Sequence, residues 1–218
     1  MIELYFAPGA CSFVPHVGLE IIRAATGDSF EPKLIKLHRG EHRSAEFLAI
    51  NPEGQVPVLV VNGQALNQIV AICDYLDRSH PKLGLLPAEG WARSQALSTL
   101  AYFNNTAHPT FTHVFMPQKF AESEPAQAEV KRLALERYRA ILARLDTTIA
   151  ALKAPYWLGD SVSFLDAYAL TLLRWGSIAG INPVSMPAYH AYVERLAQAP
   201  AVAAVIERER LQLNMFKA

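Results

Sequence analysis

The first 78 residues of this chain alternate short apolar or β-branched runs with helically spaced apolar positions, whereas from residue 89 onward every apolar pattern is helical. That asymmetry leaves few folds open: an α/β unit followed by an all-α bundle. The α/β part begins at once. Ile2 to Phe6 is an apolar run ended by Pro8-Gly9, after which Val14, Val17, Gly18, Ile21 and Ile22 take helical spacing. This reads as strand, turn, helix, with Cys11 and Ser12 at or just before the first helical turn. Pro15 fits there, because the amide it lacks would have no helical partner. A thiol so placed faces unpaired amides and the positive end of the helix dipole, which predicts a pKa below that of a free cysteine.

Phe30 to Leu37 patterns as a second strand, followed by the basic stretch His38-Arg39-Gly40-Glu41-His42-Arg43. Ser44 to Ile50 makes a short helix stopped by Asn51-Pro52. Val58 to Val61 is entered through Pro57 and followed by Asn62-Gly63, the strongest two-residue hairpin signal in the sequence. Ile69, Ile72, Cys73 and Leu76 then fall on one helical stripe, where Cys73 is a buried, inert thiol. The order is strand, helix, strand, helix, hairpin, helix, with parallel pairing of the early strands and an antiparallel edge from the hairpin. Residues 79–88 carry prolines and a glycine without periodicity and read as a linker between domains at 1–78 and 89–218. Beyond it, Trp91 to Phe115 is one long helical pattern, in which Pro109 should loosen a turn. Tyr138, Leu142, Leu145, Ile149 and Leu152 form one apolar face, and Ser163-Phe164-Leu165-Asp166 opens an apolar helix as a capping box.

The 218 residues carry a formal net charge of zero with 18% charged side chains and no basic stripe, which argues against a nucleic-acid partner. No apolar run reaches the roughly 18 residues a membrane helix needs, and the N-terminus, with Glu3, has no signal pattern; a cytoplasmic protein is expected. Cys11 and Cys73 sit in unlike contexts, against a structural disulfide, and the histidines show no metal-ligand spacing.

Taken together, the Cys-bearing turn after the first strand, Asn51-Pro52-Glu53-Gly54-Gln55-Val56-Pro57, and Gly159-Asp160 followed by Ser163-x-x-Asp166 resemble the cytosolic glutathione transferases over essentially the full length. Tyr5 to Ser12 with Pro15-His16 is most similar to the bacterial beta class. The resemblance implies a thioredoxin-like N-terminal domain (βαβαββα) with an all-helical C-terminal domain, and a homodimer. It implies a cis Val56-Pro57 bond, so that Val56 pairs with glutathione laid down as an added strand. It also implies that Gln55, Val56, Pro57, Gln68 and Ile69 flank glutathione, the co-substrate, with Arg39 near its glycine carboxylate. Trp175 matches an aromatic near the thiol, with core filling as the other reading. Ala101, Asn105, His108 and Thr112 form a stripe that in this fold looks across the cleft toward Cys11, unless it is simply a solvated helix face.

The sequence departs from the family at Gln68-Ile69, where an acidic residue and a serine or small residue hold the γ-glutamyl end; Gln68 offers the ammonium group no charge-assisted bond. A second departure is His108-Pro109, where the beta class shows His-Lys. Two functions stay open. One is a detoxifying glutathione transferase acting on small hydrophobic electrophiles, or on disulfides, through Cys11, Ser12 and His108, with Cys11 as nucleophile or as hydrogen-bond donor. The other is a carrier or interaction protein of the same fold with little glutathione binding.

Overall fold

In the computed structural model, which describes residues 1–217, four strands form one mixed sheet in the order β2-β1-β3-β4. β1 (Ile2–Phe6) is parallel to β2 (Glu31–Leu34) and antiparallel to β3 (Val58–Val61), and β3 returns as β4 (Gln64–Asn67). Asn62 and Gly63 take φ of 51° and 83°, the left-handed pair that a two-residue hairpin between right-twisted strands requires. α1 (Phe13–Thr26) connects the parallel strands, α2 (Ala45–Ile50) precedes β3, and α3 (Ile69–Ser79) follows β4.

Alternation along β1 sorts its side chains to two faces. Leu4 and Phe6 enter the large core with Val14, Val17, Ile72, Cys73 and Leu76 of α1 and α3. Tyr5 points the other way and meets Phe47 of α2 at 5.8 Å between ring centroids. β2 stops three residues short of the expected strand: Pro32 has no amide to give, and the chain tightens into 3-10 turns at Leu37–Arg39 and Glu41–Arg43. Ser44 caps α2 by accepting the Phe47 amide at 3.2 Å.

The segment after α3 is strapped down. Leu85 and Leu86 are buried, the Leu86 amide donates to Asp77, and the Arg93 guanidinium reaches Asp74, Asp77 and the Pro87 carbonyl. The remainder is helical: α4 (Gly90–Tyr102), α5 (His108–Phe115), α6 (Glu124–Ala150), α7 (Phe164–Ile178), α8 (Pro187–Ala197) and α9 (Pro200–Glu209). α4 and α5 are the single expected helix, but Phe103–Ala107 between them is a π-helical turn, in which the His108 amide bonds to the Phe103 carbonyl. Pro109 is the physical cause, since it has no amide for a carbonyl one turn back and its ring needs room there.

α7 is the central post, buried along nearly its whole length. Its N-terminus carries the capping box: the Asp166 carboxylate accepts the Ser163 amide at 2.6 Å and the Ser163 hydroxyl at 2.5 Å, and also the Trp157 amide and Tyr192 hydroxyl. Gly18 of α1 packs on Phe164 so closely that a Cβ would lie 2.2 Å from the ring, which is why α1 can seat on the helical half.

Candidate active site

The turn joining β1 to α1 is built from its own small residues and pinned from a distance. Ser12 accepts the Ala7 amide at 3.1 Å and returns its proton to the Ala7 carbonyl at 3.2 Å, closing the loop on itself. Gly9, at φ 69°, gives its amide to Glu209 of α9 at 2.9 Å, while its carbonyl receives the Trp175 indole N–H at 2.9 Å. Glu209 also accepts from His16 Nδ1 at 2.7 Å. Arg208 donates to His16 Nε2, so the proton that reaches Glu209 is the one on Nδ1. Turn, α1 and α9 are thus joined through one buried carboxylate.

Cys11 sits in that turn with 8% of its surface exposed, and its thiol donates to the Val56 carbonyl at 3.6 Å. The Val56-Pro57 bond is cis. The expected lowering of the Cys11 pKa is overturned: burial pushes the thiol up to about 12, against a smaller downward pull from the Cys11 and Ser12 amides. The helix start is where the sequence placed it; the dehydration comes from the residues packed over it.

Cys11 opens on a hollow of about 100 Å³. Gln55, Val56, Pro57, Gln68, Ile69 and His108 line it, as do Asn51, Glu53, Asn67 and Asn104, to which the sequence assigned no site role. Asn51-Pro52 reads in the sequence as a helix stop and as the opening of the motif that ends at Pro57. Its side chain instead organises the wall, donating to the Gln55 carbonyl at 2.8 Å and accepting the Glu53 amide and the Asn67 side chain, each at 3.2 Å. Gln68, with φ 71° and ψ 121°, carries a backbone conformation rare outside glycine and stands at the N-terminus of α3, where the first amides have no side-chain cap.

Four expected site residues stand elsewhere. Ser12 is fully buried and spends its hydroxyl on Ala7. Asn105 is exposed and Asn104 faces the hollow in its place, because the π turn advances the helix face by about one residue. Trp175 is buried beneath the site, stacked on Phe111 at 4.8 Å and against His108 at 4.6 Å, so it orders the wall from behind. Arg39 is exposed on its 3-10 turn, outside the lining.

His108 is positioned by a chain of hydrogen bonds. Asn104 uses its amide N–H on Asn105, so its Oδ1 accepts the Tyr168 hydroxyl at 3.1 Å, and Tyr168 in turn accepts from His108 Nδ1 at 3.1 Å. Nε2 is left with a lone pair. Burial alone drives the His108 pKa down to about 4, so the ring is neutral at physiological pH. Among the described residues, no group of three or more His, Cys, Asp or Glu is disposed to hold a metal, and no helix is long and apolar enough to cross a membrane.

A mixed sheet with a cis-proline loop, a thiol at the first helix and an all-α partner define a thioredoxin-like fold with a hollow beside that loop. Residues 2–78 match the family model of the glutathione S-transferase N-terminal domain, and residues 103–200 match that of its C-terminal domain. Glutathione S-transferase GST-4.5 of Xanthomonas campestris pv. campestris is 31% identical, the match covering 96% of this chain and 99% of that protein. A glutathione transferase homologue from Sulfitobacter, solved with bound glutathione, superposes with a TM-score of 0.87 at 26% identity, over 97% of this chain and 99% of that one. The beta class glutathione S-transferase of Sphingomonas chungbukensis gives 0.81 at 30% identity, over 96% of this chain and 100% of its own. The chain belongs to the glutathione S-transferase family, and it is a glutathione S-transferase-like enzyme of bacterial type.

Proposed function

We propose that this enzyme conjugates glutathione to small hydrophobic electrophiles, with the Cys11 thiol as hydrogen-bond donor to the glutathione sulfur. The observation that carries this reading is the placement of Cys11, buried in the turn with its thiol donating to the Val56 carbonyl at 3.6 Å. A thiol held up to about 12 keeps its proton at neutral pH, so it donates to a thiolate rather than competing as the nucleophile. That proton is donated to the Val56 carbonyl at 3.6 Å. Glutathione laid as an added strand along Val56 uses that carbonyl for its own amide and frees the thiol to turn toward the incoming sulfur. His108, neutral and with Nε2 unencumbered, lines the same hollow and can accept a hydrogen bond from the incoming thiol. Val56, Pro57, Gln55, Gln68 and Ile69 flank the tripeptide, and the α3 amides take its γ-glutamyl carboxylate.

Within this reading, residues 1–78 bind glutathione, 79–88 connect, and 89–218 supply the electrophile side. The enzyme acts as a detoxifying homodimer in the cytoplasm, as its family resemblance implies, and light scattering of the purified protein tests the dimer. The catalytic assignment is tested by comparing Cys11→Ser with Cys11→Ala. A hydrogen bond to a charged acceptor contributes about 1.5–3 kcal/mol, so Cys11→Ala should raise the pKa of bound glutathione by roughly one to two units, read as thiolate absorbance. Cys11→Ser keeps a donor and should retain most of the conjugation rate; loss of all activity in Cys11→Ser would point to covalent chemistry instead.

A further inference from the structure

A hollow of about 230 Å³, larger than the one beside Cys11, lies in the helical half of the molecule. It opens where two helices part. α6 packs along α5 but scarcely touches α4, so a gap stays open between α4 and the C-terminal part of α6. The two hollows lie on opposite sides of the π turn: Asn104 and His108 face Cys11, whereas Tyr102 and Phe103 face the gap.

The floor of the gap is apolar and fixed. Phe103 and Leu145 are buried, and Trp157 meets the Phe103 ring edge-on at 5.3 Å while its backbone amide is tied to the Asp166 carboxylate at 2.8 Å. Thr99 and Thr148 stand on the side walls. Each gives its hydroxyl proton to its own helix, Thr99 to the Gln95 carbonyl at 3.0 Å and Thr148 to the Arg144 carbonyl at 2.9 Å, so neither competes as a donor to a ligand.

The mouth carries one charge. Arg144 is exposed, but its guanidinium is held in place over the Tyr102 ring, 4.4 Å from the centroid. No acidic side chain lines the hollow, and no carboxylate among the described residues pairs with this guanidinium. A guanidinium stacked on an aromatic face keeps its N–H edge free, and that edge matches the two oxygens of a carboxylate. An apolar floor of rings beneath a positioned, unpaired guanidinium is the complement of a flat aromatic acid.

We propose that this hollow is a second ligand site, which takes a small aromatic carboxylate with its rings against Phe103, Leu145 and Trp157 and its carboxylate on Arg144. The site shares no lining residue with the hollow beside Cys11 and is independent of what that hollow binds.

The test is calorimetric titration of the wild type, of Arg144→Gln and of Thr148→Phe with 2-naphthoate and with its neutral counterpart 2-naphthamide. Arg144→Gln removes the charge from an exposed helix position, and Thr148→Phe fills the hollow from its wall. The wild type should bind the acid about tenfold more tightly than the amide, as one charge-assisted pair at a partly exposed site gives. Arg144→Gln should bring the acid down to the affinity of the amide and leave the amide unchanged, and Thr148→Phe should weaken both by about tenfold or more. An acid affinity that survives in Arg144→Gln, or affinities that survive in Thr148→Phe, place the ligand elsewhere and overturn the proposal, as does a wild type that binds neither compound at several millimolar. Light scattering of the same samples covers the other occupant: a variant that dissociates a dimer assigns the gap to a second copy of the chain, and the ligand site falls.

Discussion

Replacing Glu209 by alanine should loosen the turn that carries Cys11, although the two residues are far apart in the chain. The Glu209 carboxylate is buried and accepts the Gly9 amide at 2.9 Å and His16 Nδ1–H at 2.7 Å. His16 is fully buried and Gly9 half-buried, so removing the acceptor leaves both donors unpaired. Each such group costs about 1–3 kcal/mol, which gives a loss of roughly 2–6 kcal/mol. In a chain of this size 1 kcal/mol corresponds to about 2–4 °C of melting temperature, so Glu209→Ala should melt at least about 4 °C lower by calorimetry. Glu209→Gln should lose about half as much, because a carboxamide oxygen can satisfy one donor while its N–H₂ opposes the His16 Nδ1 proton. A drop of less than about 2 °C for the alanine variant would refute the argument that this carboxylate joins turn, α1 and α9.

Three further outcomes follow from the site and its supports. Because burial raises the Cys11 thiol to about 12, iodoacetamide should alkylate it slowly at pH 7.5 and faster only well above pH 9; a titration midpoint below the free value near 8.5 would contradict this. His108 is held down to about 4 while an unfolded histidine titrates near 6.5, so the unfolded state takes up the proton first. Its contribution is full above pH 6.5 and lost as the pH falls toward 4, and urea midpoints of His108→Asn should fall less steeply across that window than those of the wild type. Gln68→Glu in the otherwise native chain places a carboxylate at the N-terminus of α3 and should tighten glutathione binding several-fold by calorimetry; unchanged or weaker binding would place the γ-glutamyl end elsewhere.

The sequence by itself determined the order of elements, because strand alternation, helical spacing and turn chemistry are local. Ile2–Phe6, the Asn62-Gly63 hairpin, the Ser163 cap and the α3 stripe each lie within a few residues of the signal that specifies them. Pro109 even marked where the long helix would be disturbed, although whether by a kink or by a π turn was settled by packing. That choice exchanged Asn105 for Asn104 at the cleft. What tertiary structure alone decided is the chemistry. The state of the Cys11 thiol is set by desolvation from groups brought together across the whole chain, and it outweighs the local amides that the sequence could reveal. Ser12 was spent on the backbone of Ala7, Trp175 was turned to Gly9, and Glu209 was brought some 200 residues back to the same glycine. No local pattern encodes these pairings, because a buried polar group takes whichever partner the folded chain brings within reach.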